Sequence, residues 1–92
     1  MRRISCTLIT LALSICILFA CGGPEEKKAK FYQKGVALYE SGDYVRARLE
    51  FKNALQIDPD FAEAYHMLGR VEMKAKNFRK AFGFFSKAVE LD

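Results

Sequence analysis

Among side chains able to form or break bonds, Cys21 has the most telling surroundings. It follows Leu18-Phe19-Ala20 and precedes Gly22-Gly23-Pro24. A thiol supplies a nucleophile, and the small Ala20 before it suits a peptidase pocket that rejects larger side chains. Cys6 and Cys16 lie upstream in an apolar run. Ile15, before Cys16, is too large for the same role. His66 is the only histidine. A zinc site or a catalytic dyad needs partners at fixed spacing, and neither cysteine nor a second histidine supplies them. The carboxylates are scattered over polar helix faces, with no isolated buried pair for acid–base work. No glycine-rich phosphate loop occurs, since Gly22-Gly23 precedes no strand. No catalytic residue, cofactor or metal is expected, so the chain reads as a binding protein and not an enzyme.

The segment that carries Cys21 is an address. Met1-Arg2-Arg3 is basic, and Ile4 to Ala20 is uncharged and mostly apolar. A positive start, an apolar middle and a small residue at the cut are the parts of an export signal. With cysteine next, the segment resembles the bacterial lipoprotein signal, whose box runs aliphatic, variable, small, Cys. Leu18, Ala20 and Cys21 match it. The resemblance implies a signal peptide over 1–20 and a covalent diacylglycerol on Cys21, followed by cleavage and N-acylation. It implies a chain anchored in the bacterial envelope and facing the periplasm. Gly22 after the cysteine resembles the class sorted to the outer membrane.

The charge balance agrees with a separate leader. The 92 residues carry 15 Lys plus Arg and 11 Asp plus Glu, a net of +4. No charge lies between Arg3 and Glu25, and losing Arg2 and Arg3 leaves a net of +2. That is no nucleic-acid footprint, and nucleic acid is not an expected partner. Residues 21–27 form a short lipidated tether. Pro24 suits the first turn of a helix, where Glu25 and Glu26 complement the positive helix end.

Beyond the tether the sequence repeats itself. Shifted by 34 residues, Gly35 falls on Gly69, Ala47 on Ala81, Phe51 on Phe85, Ala54 on Ala88 and Asp58 on Asp92. Phe31 falls on Tyr65, Tyr44 on Phe78, Leu55 on Val89 and Ile57 on Leu91. That period and these residues resemble the tetratricopeptide repeat, a helix-turn-helix hairpin that stacks into a solenoid. The resemblance implies an all-α fold of two hairpins, repeat one over 28–61 and repeat two over 62–92, each with a helix A and a helix B. The array is expected to run on beyond Asp92, or to self-associate, because Phe78, Phe82, Phe85 and Val89 leave the last helix too apolar for one neighbour to cover.

Each position has a physical reading. Gly35 and Gly69 let helices A and B approach closely, and Phe51 and Phe85 fill the space around them. Gly42 suits the first turn, and Asp43 suits the cap of the first helix B. Asn77 is the matching cap candidate, with Lys76 in place of the turn glycine. Asp60-Phe61-Ala62-Glu63 reads as a capping box. Pro59 stops the preceding helix. Lys34, where the family usually has Leu, stands at the front edge with its charge able to reach water. Gly83, inside a helix, calls either for a close backbone neighbour or for a weak spot.

The family's inner face is lined by helices A. By resemblance its residues here are Tyr32, Val36, Tyr39 and Glu40, then His66, Arg70, Met73 and Lys74. Such a groove grips an extended or helical peptide, with aromatics for buried area and cations for acidic groups. Family members that clamp acidic chaperone tails use Lys and Asn on the first inner face. Tyr32 and Val36 occupy those places here, which disfavours that partner class. Lys74, Lys76, Arg79 and Lys80 cluster around the second hairpin turn, as a solvated turn or a site for an acidic group. The string Ala47 to Leu55 resembles repeat lipoproteins associated with exopolysaccharide and protein-sorting systems. The function expected is a scaffold or assembly factor for an envelope biogenesis, export or secretion system. The alternative is a docking arm for a larger envelope enzyme.

Overall fold

The computed structural model describes residues 23–92; the leader and Cys21 lie outside them. Four helices succeed one another: α1 (Pro24–Glu40), α2 (Tyr44–Ile57), α3 (Ala62–Lys74) and α4 (Phe78–Leu91). The described residues contain no strand. None of these helices is long and apolar enough to cross a membrane. The fold is all-α, two hairpins in series.

Local chemistry accounts for the helix ends. Pro24 opens α1 with Glu25 and Glu26 in the first turn. The Gly23 carbonyl accepts from the Glu26 and Lys27 amides. Pro24 to Lys27, expected in the tether, thus form the first turn of α1. At the other end Gly42 adopts φ 88°, and the Asp43 amide donates to the Leu38 carbonyl at 2.9 Å. This closes the helix by a left-handed residue, a conformation that glycine adopts without steric cost. The second hairpin uses the same closure: the Asn77 amide donates to the Glu72 carbonyl at 2.9 Å. There Lys76 holds the left-handed place at φ 61°, with a strain of roughly 1–2 kcal/mol.

Caps divide less evenly than the sequence implies. Asp43 accepts from the Arg46 amide and caps α2. Asn77 stands at the same place before α4, but its side chain makes no capping bond. The expected box at Asp60–Glu63 does not form. Phe61 occupies the capping position of α3, and the Asp60 amide donates to Oδ1 of Asp58. The turn is organised from Asp58, whose other oxygen accepts from Lys28 Nζ at 2.9 Å.

The core lies between the hairpins. Ala47 and Phe51 of α2 meet Met67, Leu68 and Val71 of α3. A Cβ on Gly35 would sit 2.6 Å from Cε1 of Phe51, and one on Gly69 would sit 2.5 Å from Cε1 of Phe85. In both hairpins the glycine makes room for an aromatic ring, so the close approach is ring on backbone. Gly83 has no such reason. A Cβ there would meet nothing within 4 Å, and the glycine costs α4 about 1 kcal/mol against Ala.

Two carboxylates expected on polar faces are buried. Glu72 is 3% exposed, and its Oε1 accepts from Arg48 Nε at 2.7 Å. Glu50 is also buried. Its Oε1 lies 3.9 Å from Lys34 Nζ, so Lys34 reaches water and leans on this carboxylate together. The outer stripe of α4 is open as expected. Phe78, Phe82 and Val89 are 59%, 75% and 77% exposed. Phe85 is half-buried, whereas its counterpart Phe51 is fully buried.

Candidate functional site: the inner face of the helix A pair

Helix spacing sets which face is inner. α1 touches α3, while α2 and α4 make no contact with each other. The hairpins therefore splay on the α2/α4 side and close on the α1/α3 side. The inner face is the one built from α1 and α3.

At one end of this face Tyr32 and His66 line a cleft of about 260 Å³. Tyr32 packs on Phe51 and Phe61, with ring centroids 5.8 and 5.2 Å away. Burial pushes its phenol above the ordinary value of 10.0; the Glu63 carboxylate adds to this and Arg70 opposes it. His66 is exposed, its ring 5.5 Å from that of Phe85. It is a surface aromatic of the groove. Among the described residues no group of three or more His, Cys, Asp or Glu could hold a metal ion.

In the middle, Tyr39 and Arg70 come together across the two helices. The guanidinium carbon lies 4.9 Å from the Tyr39 ring centroid, a cation–π contact worth ~0.5–1 kcal/mol where exposed. Arg70 also reaches the Met67 sulfur at 3.8 Å. Tyr39 is braced from behind by Tyr44, ring centroids 5.3 Å apart. The cation is thus held on an aromatic shelf with its charge in water, ready to meet an acidic group.

At the far end Glu40, Met73 and Lys74 are exposed. None of the three has a side-chain hydrogen bond or ion pair among the described residues. Val36 is half-buried and packs on the core, so it lends the groove a wall more than a contact. Two of the eight candidates share a direct contact and two share a cleft. Sequence reasoning passed over Glu63, Val89 and Asp92, which also line that cleft. Glu63 was findable, because it stands three residues before His66 on the same helix face. Val89 and Asp92 arrive through the packing of α4 on α3, which no local spacing reveals.

The cluster at the second turn is divided. Lys74, Lys76, Arg79 and Lys80 are all exposed, but only Lys80 lines a cavity, on the opposite, outward face.

Residues 38–91, more than half of the chain, match the family model of the tetratricopeptide repeat. Repeats of this family hold protein partners and are typically not catalytic. With the period of 34, the paired glycine–phenylalanine contacts and this match, the chain belongs to the tetratricopeptide repeat family.

Proposed function

We propose that this chain is a lipid-anchored protein of the bacterial envelope that holds a protein partner on its inner face. It faces the periplasm, from the outer membrane in preference to the inner, and acts as a scaffold or assembly factor in envelope biogenesis, export or secretion. The observation that carries the binding half is Arg70 laid on Tyr39, beside exposed Met73 and Lys74. Such a strip offers a peptide both apolar area and oriented positive charge. The anchoring half rests on the basic and apolar leader ending Leu18-Phe19-Ala20-Cys21. A lipid there contributes ~0.8 kcal/mol per buried methylene, and several chains anchor firmly. The open stripe of α4 is apolar area that a further helix or a second copy of this chain would cover.

One experiment addresses the anchoring half. Cells expressing the chain or its Cys21→Ser variant are fed a fatty-acid analogue, and membranes and soluble fractions are compared. Label and membrane attachment should both depend on Cys21. Equal labelling of the two proteins would remove the anchor from the account and leave the groove to be judged separately.

A further inference from the structure

The splay of the two outward helices leaves a second and larger groove. Between α2 and α4, over the outward side of α3, lies a cavity of about 920 Å³. Its floor includes Tyr65 of α3 and Phe84 of α4, with ring centroids 6.4 Å apart. Beside Phe84 stands Gly83, with open space where a side chain would begin. No packing demand explains a glycine in the middle of α4. Its effect is a notch in the groove wall.

Charge along this groove is one-sided. Lys52 stands on the α2 wall, Lys80 and Lys87 on the α4 wall. The one carboxylate lining it, Glu72, is buried and already held by Arg48. Lys87 leans on Glu90 at 3.7 Å. Lys52 and Lys80 have no ion pair among the described residues.

The cations are spread, not convergent. Lys80 and Lys87 are separated by about 10 Å along the helix axis, at 1.5 Å per residue. A single phosphate is too small to engage both. On an extended peptide residues i, i+2 and i+4 face one side, so carboxylates four residues apart face the same wall about 13 Å apart. Two flexible lysine side chains can meet that span, and the residue midway between the carboxylates faces the same wall. We propose that the outward groove is a second binding site, for an acidic peptide. Its carboxylates pair with Lys80 and Lys87, and an apolar side chain between them enters the notch at Gly83. This site is separate from the inner face and does not depend on it.

The test uses the full chain in neutral detergent and a fluorescein-labelled peptide, Gly-Ser-Glu-Ala-Leu-Ala-Glu-Ser-Gly, read by anisotropy at low salt. Binding is expected at micromolar Kd and is about tenfold weaker when both Glu are replaced by Gln. Gly83→Leu fills the notch where no atom stands. It should weaken binding by about tenfold with the melting temperature unchanged or raised, since leucine favours helix over glycine. Lys80→Gln and Lys87→Gln should each weaken binding about fivefold, and ~0.5 M salt should weaken the parent. Tyr39→Ala, on the inner face, should leave it unchanged. The proposal is overturned if the peptide does not bind, or if Gly83→Leu binds as the parent does. It is also overturned if inorganic phosphate or phosphatidylglycerol vesicles bind through these lysines and the peptide does not.

Discussion

Arg48 on α2 donates from Nε to Oε1 of Glu72 on α3 at 2.7 Å, joining one hairpin to the next through a carboxylate that is 3% exposed. Removing one partner of a buried pair leaves the other charge uncompensated, at ~3–5 kcal/mol. Because Arg48 is 30% exposed on its side chain, Arg48→Ala should fall at the low end, about 3 kcal/mol. Arg48→Met with Glu72→Leu should recover most of that loss in urea melts. A double variant as unstable as Arg48→Ala would show that the pair holds the hairpins together by more than mutual neutralisation.

Gly35 should refuse even one methyl group. Alanine favours a helix by about 1 kcal/mol over glycine, but the added carbon would meet the Phe51 ring at 2.6 Å. Overpacking of this kind costs ~1–3 kcal/mol. Gly35→Ala should therefore destabilise, and pairing it with Phe51→Leu should relieve part of the cost. A melting temperature raised by Gly35→Ala alone would contradict the ring-on-backbone contact.

Lys76→Gly should stabilise. Lys76 holds φ 61° where the first hairpin has Gly42 at φ 88°, and a side chain there is strained by roughly 1–2 kcal/mol. Part is returned because glycine is freer in the unfolded chain, by ~0.4–1 kcal/mol. The net expectation is a small rise in melting temperature, while Gly42→Lys should lower it.

Acid should weaken the link between α1 and the turn that joins the two hairpins. The hydrogen bond from Lys28, with the Asp60 amide adding to it, holds the Asp58 carboxyl below its ordinary value of 3.8. Such a group stabilises the fold above the unfolded value, and the contribution is lost as pH falls through the folded one. Lys28 is raised above 10.5, chiefly by its bond to Asp58 and then by Glu25. Its contribution is therefore present below that value and lost as pH rises beyond it. Thermal melts should drop less steeply below about pH 4 for Asp58→Asn than for the parent. Parallel acid limbs would show that the pair carries no linkage.

What could be read from residue order was what repeats. The shift of 34 matched Gly35 with Gly69 and Phe51 with Phe85, and the structure places each ring on its glycine. The Asp43 cap was equally legible because it is local. The box at Asp60–Glu63 was not, because the Asp60 amide turned to Asp58 and Phe61 took the capping position. Glu72 looked like one more surface carboxylate, since its burial depends on Arg48 arriving from 24 positions away. On the inner face the resemblance to the repeat family pointed to Tyr39 and Arg70, and their contact comes from α1 lying against α3. Of the outward groove only two lining residues, Gly83 and Lys80, stood out in the pattern, and not the groove itself. It arises from α2 and α4 standing apart, a property of how hairpins stack.

The central claim is that the partner lies on the α1/α3 side, and site-specific photo-cross-linking tests it most directly. A benzophenone side chain is placed at Tyr39, at His66 or, on the exposed side of α1, at Lys30. Each full-length variant is irradiated in its native membranes, and the joined peptides are identified by mass. The account predicts one shared partner from positions 39 and 66, lost with Arg70→Ala, and no such product from position 30. The same partner captured equally from position 30, or capture at 66 indifferent to Arg70→Ala, would contradict it.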